Sequence, residues 1–233
     1  MGYLIKSESE NRLAAVRKIL EEKNLDLALV YYDEFNIGNG WYLTGWCPQF
    51  ESGAVLVPRR GTPLLLGGPE SEPFAKQDSA ITETRNFPVF MVPDEEYPAA
   101  TIIDFPHLFA ELNANLGAVK RIGIVGGDRM PYGCHKGITD GFVGVEMVDI
   151  TSEFLNLRYH KSSWEIEQIR AAFQLADLSY EAMKEMIKVG NTEKAAKTIA
   201  QITGADLFKI EQKVPYAADY NTCVAEARKD FHE

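Results

Sequence analysis

Short apolar runs alternate with amphipathic segments over roughly the first 150 residues, and this alternation most constrains the fold. The run Asp26–Tyr32, DLALVYY, is apolar enough to form a buried strand. It follows a predicted helix over about Ser9–Lys23, which opens on a capping box formed by Ser7 and Glu10. Strands that alternate with helices are typical of an α/β sheet covered by helices.

A hairpin predicts that this sheet is mixed, because its two strands must run antiparallel. The segments Gly53–Pro58 and Pro63–Gly67 flank the turn sequence RRGT. A turn is also predicted at Gly38–Gly40, and a boundary between domains near Thr151–His160. Further strands are predicted near Thr82–Arg85, Val89–Val92, Arg121–Val125 and Val145–Ile150, and further helices near Phe105–Asn115 and Met130–Gly141. The predicted fold class is an α/β domain with a mixed β-sheet flanked by helices, followed by a long amphipathic helix.

A second capping box, Ser162 with Glu165, opens that long helix. Apolar residues then recur at alternating spacings of three and four, which places them on one helical face. This apolar stripe comprises Ile166, Ile169, Phe173, Ala176, Tyr180, Met183 and Ile187. Because burying each large member contributes about 1.5–3 kcal/mol, the stripe is expected to pack against a partner surface. Ordinary core packing, a helix pair and a docking helix all fit this pattern.

The charge balance and the cysteine pattern restrict the classes of partner and compartment. The net charge is -10, from 34 acidic and 24 basic residues, which opposes binding to a phosphate backbone. No apolar run reaches the roughly 18 residues that a membrane helix needs, so no membrane partner is predicted. The chain has three cysteines, an odd number, at the distant positions Cys47, Cys134 and Cys223. This pattern favours a reducing cytoplasm without a disulfide framework.

Three segments resemble the creatinase, prolidase and aminopeptidase P family. They are WYLTGW at Trp41–Trp46, KRIGIVGGDRMPYG at Lys120–Gly133 and LRYHKSSWEIEQIRAAFQLAD at Leu157–Asp177. The resemblance covers Glu10–Gly190 and implies a mixed α/β N-terminal domain, with a linker and the first helix of a "pita-bread" metallohydrolase domain at its end. Family enzymes cut bonds next to proline or hydrolyse creatine.

The resemblance also implies a pair of divalent metals, held in family peptidases by two Asp, one His and two Glu. Oxygen ligands with one imidazole suit manganese or cobalt, and paired ions activate a bridging water. Those ligands lie beyond the family's first catalytic helix, and His232 is the only histidine after Gly190. We therefore expect no metal site, no cofactor and no catalytic residue in this chain, although the parent family is enzymatic.

A second resemblance covers the tail, Gly190–Phe231, which is similar to flavodoxin from its phosphate loop onward, as a short βα segment. It rests on Gly-Asn-Thr before an Ala-rich helix and on the later Pro-Tyr-Ala-Ala-Asp-Tyr-Asn. Flavin mononucleotide binding is not expected, because the hydroxyl residues that would precede Gly-Asn-Thr are absent. The expected organisation is residues 1–155 as the N-terminal-type domain, 156–189 as linker and first helix, and 190–233 as the flavodoxin-like fragment.

The loop Trp46–Ser52, WCPQFES, is a candidate for contact with a partner. In creatinase-like dimers the corresponding loop of one subunit reaches the active site of the other. Trp46, Phe50 and Glu51 would then face a partner's substrate, whereas the alternative is a solvent loop with one packed aromatic residue.

These observations leave three functional hypotheses. The first is a non-catalytic N-terminal domain of an Xaa-Pro peptidase-like metallohydrolase, used for dimerisation or scaffolding. The second is an in-trans partner of a full-length dipeptidase or aminopeptidase, and the third is a flavin-binding fragment. The first two imply a homodimer or a heterodimer with a full-length homologue.

Overall fold

One mixed sheet organises the first part of the chain. The computed structural model describes residues 4–48, 51–92, 97–189, 191–207, 217 and 219–230. The strands are β1 Leu27–Tyr32, β2 Gly53–Pro58, β3 Leu64–Gly67, β4 Thr84–Asn86, β5 Arg121–Val125 and β6 Glu146–Asp149. The helices are α1 Lys6–Glu22, α2 Ile37–Thr44, α3 Glu72–Asp78, α4 Phe105–Leu116, α5 Tyr132–Gly141, α6 Thr151–Tyr159, α7 Ser163–Val189, α8 Asn191–Thr203 and α9 Tyr220–Asp230.

The strand order is β4-β3-β2-β1-β5-β6, with both parallel and antiparallel neighbours. β1 and β2 run antiparallel, as do β2 and β3, which confirms the predicted hairpin. β1 pairs with β5, β5 with β6 and β3 with β4 in parallel. The predicted mixed α/β sheet flanked by helices is therefore confirmed.

Side chains of β1 alternate between two cores, one on each face of the sheet. Leu27, Leu29 and Tyr31 pack with residues of α4 and α5. Ala28, Val30 and Tyr32 pack on the other face with residues of α1, α2 and α6. Because successive side chains of a strand point to opposite faces, a central strand covered on both faces must be apolar throughout.

The predicted turn at Gly38–Gly40 is wrong, since these residues lie inside α2. Close packing accounts for the two glycines: a Cβ at Gly40 would lie 2.8 Å from the Tyr32 ring. A Cβ at Gly38 would lie 2.1 Å from Nη2 of Arg158. Between them, Asn39 accepts a hydrogen bond from Arg158 at 2.7 Å, and its amide donates to the Tyr31 carbonyl at 3.1 Å.

Two other local predictions also fail. The predicted strand Val89–Val92 overlaps a short 3-10 helix, Pro88–Phe90, because Pro88 has no N–H for a ladder and Phe90 is buried among other phenylalanine rings. The Ser7–Glu10 capping box is absent: α1 begins earlier, after Ile5, without a side-chain cap. The helices α3 and α6 were not predicted; α6 spans the segment in which the sequence places a boundary between domains, and that boundary stays a prediction.

By its internal contacts the chain divides into two units, Met1–Ile166 and Glu167–Glu233. The first unit contains the sheet and both cores. The second contains most of α7 together with α8 and α9, and none of its described residues is buried. Residues 208–216 fall outside the described part of the chain, so the flavodoxin-like tail remains a prediction.

Candidate functional site

The loop after α2 folds back onto its own domain. The hydroxyl of Thr44 accepts a hydrogen bond from the backbone N–H of Trp46 at 3.0 Å and donates to the Gly40 carbonyl at 2.8 Å. Trp46 is half-buried against the core on the α1 side of the sheet. Phe50 lies outside the described residues.

The carboxylate of Glu51 is buried and faces Ser71 of the same chain. Its Oε2 accepts hydrogen bonds from the Ser71 hydroxyl and from the Ser71 backbone N–H, the latter at 3.1 Å. The other oxygen, Oε1, has no hydrogen-bond partner among the described residues. A Cβ at Gly68 would lie 1.8 Å from that oxygen, so only glycine leaves room for the carboxylate. The role of Trp46, Phe50 and Glu51 in a partner's site stays a prediction.

Burial favours the neutral forms of two titratable groups near this loop, Cys47 and Tyr32. Burial raises the pKa of the Cys47 thiol to about 12, and the nearby Asp33 adds to the rise. Burial also raises the pKa of Tyr32 well above its usual value, with smaller contributions from Cys47 and Glu51. Since a nucleophilic cysteine needs a lowered pKa, Cys47 is not suited to be a nucleophile at neutral pH.

A buried and half-buried group of charged and polar residues holds the start of α7. We name it the Arg12 cluster: Glu8, Arg12, Tyr42, Ser162 and Glu165. The Arg12 guanidinium donates through Nε to Glu8 Oε1 at 3.0 Å and through Nη1 to the Tyr42 carbonyl at 2.6 Å. Its Nη2 lies 3.3 Å from Glu165 Oε1, and its Cζ lies 4.5 Å from the centre of the Tyr42 ring. The guanidinium therefore joins α1, α2 and the first turn of α7 at one point.

The predicted capping box at the start of α7 is confirmed and belongs to this cluster. The backbone N–H of Ser162 donates to Glu165 Oε2 at 2.9 Å, and the N–H of Glu165 donates to the Ser162 hydroxyl oxygen at 3.1 Å. The same hydroxyl donates to Glu8 Oε1 at 2.9 Å. Ser162 therefore both caps its own helix and forms a long-range contact with α1. Neither Glu8 nor Arg12 was identified from the sequence, because their i,i+4 spacing looks like an ordinary surface pair.

The apolar stripe of α7 is exposed to solvent along its described length. Phe173 is 67% exposed and Tyr180 59%. Ile166, Ile169, Ala176 and Met183 are also exposed, and the side chain of Ile187 lies outside the described residues. Leu175 and Leu178, which lie on the side of α7 turned away from the stripe, are exposed as well. The described residues that the sequence groups on one face are therefore all exposed.

The described residues do not supply the ligand set that the family resemblance implies. Among them, no group of three or more His, Cys, Asp or Glu side chains could hold a metal ion. The ring of His107 lies within hydrogen-bond distance of the exposed Asp104, and that of His160 within hydrogen-bond distance of the Asn156 carbonyl. No described helix is long and apolar enough to cross a membrane.

Comparisons with known proteins agree with this architecture. The prolidase from Pyrococcus horikoshii OT3 is 19% identical, with a TM-score of 0.53 over 75% of this chain and 42% of that protein. The Xaa-Pro dipeptidase from Bacillus anthracis is 16% identical, with a TM-score of 0.54 over 76% of this chain and 43% of that protein. The prolidase from Pyrococcus furiosus is 20% identical, with a TM-score of 0.52 over 74% of this chain and 46% of that protein. At these identities the likeness shows the fold alone.

The chain spans less than half the length of each of these three proteins. No curated protein matches it. The sequence model of the creatinase/prolidase N-terminal domain matches residues 12–160, which include every strand of the sheet. Because that match covers more than half of the chain, the protein belongs to the creatinase/prolidase N-terminal domain family.

Proposed function

We propose that this chain acts as a non-catalytic docking domain of the Xaa-Pro peptidase type, which associates with another subunit through the apolar stripe of α7. The observation that carries the proposal is the exposure of that stripe on a helix whose first turn is fixed by the Arg12 cluster. Family membership over residues 12–160 supports the assignment to an N-terminal domain.

The energetics favour association. Covering a large apolar side chain contributes about 1.5–3 kcal/mol, so burying half of the exposed area on several stripe residues amounts to a few kcal/mol per subunit. Exposed apolar patches rimmed by polar residues are typical of interaction sites. The stripe residues that would supply most of this area are Phe173 and Tyr180, because both are large and more than half exposed.

The first experiment measures the molar mass of the purified chain by light scattering. We expect a dimer, and we expect Tyr180→Asp to break it or to lower solubility, because an unpaired charge would enter the buried seam. Gln174→Asp is the matched control, since it adds the same charge on the same helix outside the stripe. A monomeric wild-type chain, or equal masses for both variants, would contradict the proposal.

The second experiment tests the absence of catalysis. Metal content is measured after incubation with manganese, and hydrolysis of an Xaa-Pro dipeptide is measured in parallel. We expect neither stoichiometric metal nor turnover. Stoichiometric manganese together with turnover would show that the chain is an enzyme in its own right.

An in-trans role for the loop is the narrower alternative. It requires Glu51 to exchange its hydrogen bonds with Ser71 for contacts in a partner's site. Co-purification with a full-length Xaa-Pro peptidase homologue supports this alternative, and failure to associate removes it.

A further inference from the structure

A groove of about 760 Å³ opens at the edge of the sheet where β1 and β5 begin. Its walls are the end of α1, the turn between β2 and β3, and the loop that follows α4. It is lined by Glu21, Asp26 and residues 59–61 and 115–119. A volume of this size is typical of small-molecule sites. Along α1, Glu21 lies roughly 14 Å beyond Arg12, so the groove is separate from the Arg12 cluster, where α7 begins.

The turn between β2 and β3 is held in shape by Arg17 of α1. The Arg17 guanidinium donates through Nε to the Pro58 carbonyl at 3.2 Å and through Nη2 to the Gly61 carbonyl at 2.7 Å. Gly61 has a φ of +107°, a conformation that residues with side chains rarely adopt. The turn therefore presents Arg59 and Arg60 to the groove from a backbone that is tied to the neighbouring helix.

Asp26 orients the side chain of Arg59, and both of its own carboxylate oxygens are occupied. Its Oδ1 accepts from Arg59 Nη2 at 3.0 Å, and its Oδ2 accepts from the backbone N–H groups of Lys120 and Arg121 at 2.8 and 3.0 Å. Arg59 also donates to Asn24 Oδ1 at 3.5 Å. Because a guanidinium carries five N–H donors, Arg59 keeps donors that these contacts do not use.

The charges around the groove favour an anion. Arg59 and Arg60 line it, and Arg17 adds a third guanidinium within hydrogen-bond distance of the turn. Of the two carboxylates among the described lining residues, Asp26 is compensated by its hydrogen bonds, so Glu21 alone opposes an anion. The carbonyl end of α4 also borders the groove, but its partial charge of about -0.5 is smaller than that of one guanidinium. The groove is therefore locally positive in a chain whose net charge is -10.

Guanidinium groups select oxygen anions, because their planar fork matches two oxygens of a carboxylate or a phosphate. Two adjacent arginines suit an anion with more than one negative charge. We propose that this groove binds a small polyanion, whose phosphate or carboxylate oxygens accept hydrogen bonds from Arg59 and Arg60. The site uses no residue of α7, so it goes beyond the docking function and stands independently of it.

Titration of the full-length chain with pyrophosphate and, separately, with citrate tests the site. Amide resonances are followed by NMR, and saturable shifts are expected at residues 59–61 and 115–119. Added salt should weaken binding, because exposed charges are screened. Saturation with either anion supports the site, and the tighter of the two identifies phosphate or carboxylate as the preferred group. The absence of saturable shifts at these residues with both anions overturns the proposal.

Two pairs of single variants show whether binding occurs in the groove. Arg60→Gln should raise the dissociation constant by about tenfold, because charge-assisted hydrogen bonds are lost. Glu21→Gln should lower it by about threefold, because one nearby unit charge no longer repels the anion. The matched controls are Arg129→Gln and Glu34→Gln, which make the same charge changes at exposed positions beyond the opposite ends of β5 and β1. Both controls should leave the dissociation constant unchanged.

The comparison of each variant with its control decides the outcome. All four positions are exposed, so the variants should melt at the temperature of the wild-type chain. Weaker binding for Arg60→Gln together with tighter binding for Glu21→Gln, each relative to its control, supports the groove. Equal dissociation constants for Arg60→Gln and Arg129→Gln overturn it, as does a Glu21→Gln variant that binds no more tightly than Glu34→Gln.

Discussion

Replacement of Arg12 by methionine tests whether the Arg12 cluster stabilises the domain and the start of α7. Arg12 is 6% exposed, and its guanidinium contacts two carboxylates, of Glu8 and Glu165, and the Tyr42 carbonyl. Methionine fills much of the volume of the arginine stem but removes the charge. Glu8, which is 7% exposed, is then left as a buried carboxylate without a cation. Breaking a buried ion pair by removing one partner costs about 3–5 kcal/mol.

Two remaining contacts place the expected loss near the lower end of that range. The Ser162 hydroxyl still donates to Glu8, and Glu165 keeps its capping hydrogen bond to the Ser162 backbone. We therefore expect the free energy of unfolding to fall by about 3 kcal/mol. For a chain of this size, such a loss lowers Tm by roughly 6–12 °C.

Urea unfolding and thermal melting measure this loss, and hydrogen exchange shows where it acts. Arg60→Met is the matched control, because Arg60 is exposed; it should change stability by less than about 0.5 kcal/mol. Adding Glu8→Gln to Arg12→Met should recover part of the loss, since it removes the orphaned charge. Amide exchange should increase at residues 162–166. A loss below about 1 kcal/mol for Arg12→Met would refute the view that this cluster contributes to stability.

Two further predictions concern acid stability and helix packing. The pKa of Glu72 lies below its usual value, because burial raises it but hydrogen bonds from Thr84, Asn86 and Lys76 lower it by more. A carboxylate whose pKa is lowered in the folded state stabilises the fold above its unfolded-state pKa, and this stabilisation is lost as the pH falls through the folded-state pKa. Glu72→Gln should therefore flatten the decline in urea stability as the pH falls below the ordinary pKa of a glutamate. Gly141→Ala should destabilise the domain by about 1–3 kcal/mol, because the new Cβ would lie 2.4 Å from the Cβ of Phe105. Gly133→Ala in the same helix is the control, since a Cβ there has no neighbouring atom within 4 Å, and it should be neutral in thermal melting.

The local elements that sequence periodicity predicts well are those whose signal lies within one segment. The run at Asp26–Tyr32 is β1 because a strand covered on both faces is apolar at every position. The Ser162–Glu165 capping box is present with both of its hydrogen bonds. Ser7 and Glu10 have the same spacing but form no cap, because α1 begins one residue before Ser7. Spacing alone therefore cannot distinguish a cap from the first turn of a helix that has already begun.

The candidate site was harder to predict from the sequence than the local elements, because it depends on contacts between distant segments. The sequence places Glu51 in a loop that could face a partner, whereas the folded chain directs its carboxylate to Ser71, which lies beyond the β2–β3 hairpin. Arg12 and Glu165 are far apart in sequence and meet only because α1 and the first turn of α7 pack together. Gly38 and Gly40 have the composition of a turn, but both lie within α2, where a Cβ at Gly40 would meet the ring of Tyr32.

By itself, the sequence determined the alternation of strands and helices, the apolar central strand and the one-sided stripe of α7, because hydrophobic periodicity depends only on residues within a few turns of each other. Only the tertiary structure decided the strand order, the burial of Arg12 with its carboxylates and the exposure of the stripe. These features depend on which distant surfaces meet, and burial then determines whether a charge is a solvated surface group or part of a stabilising pair.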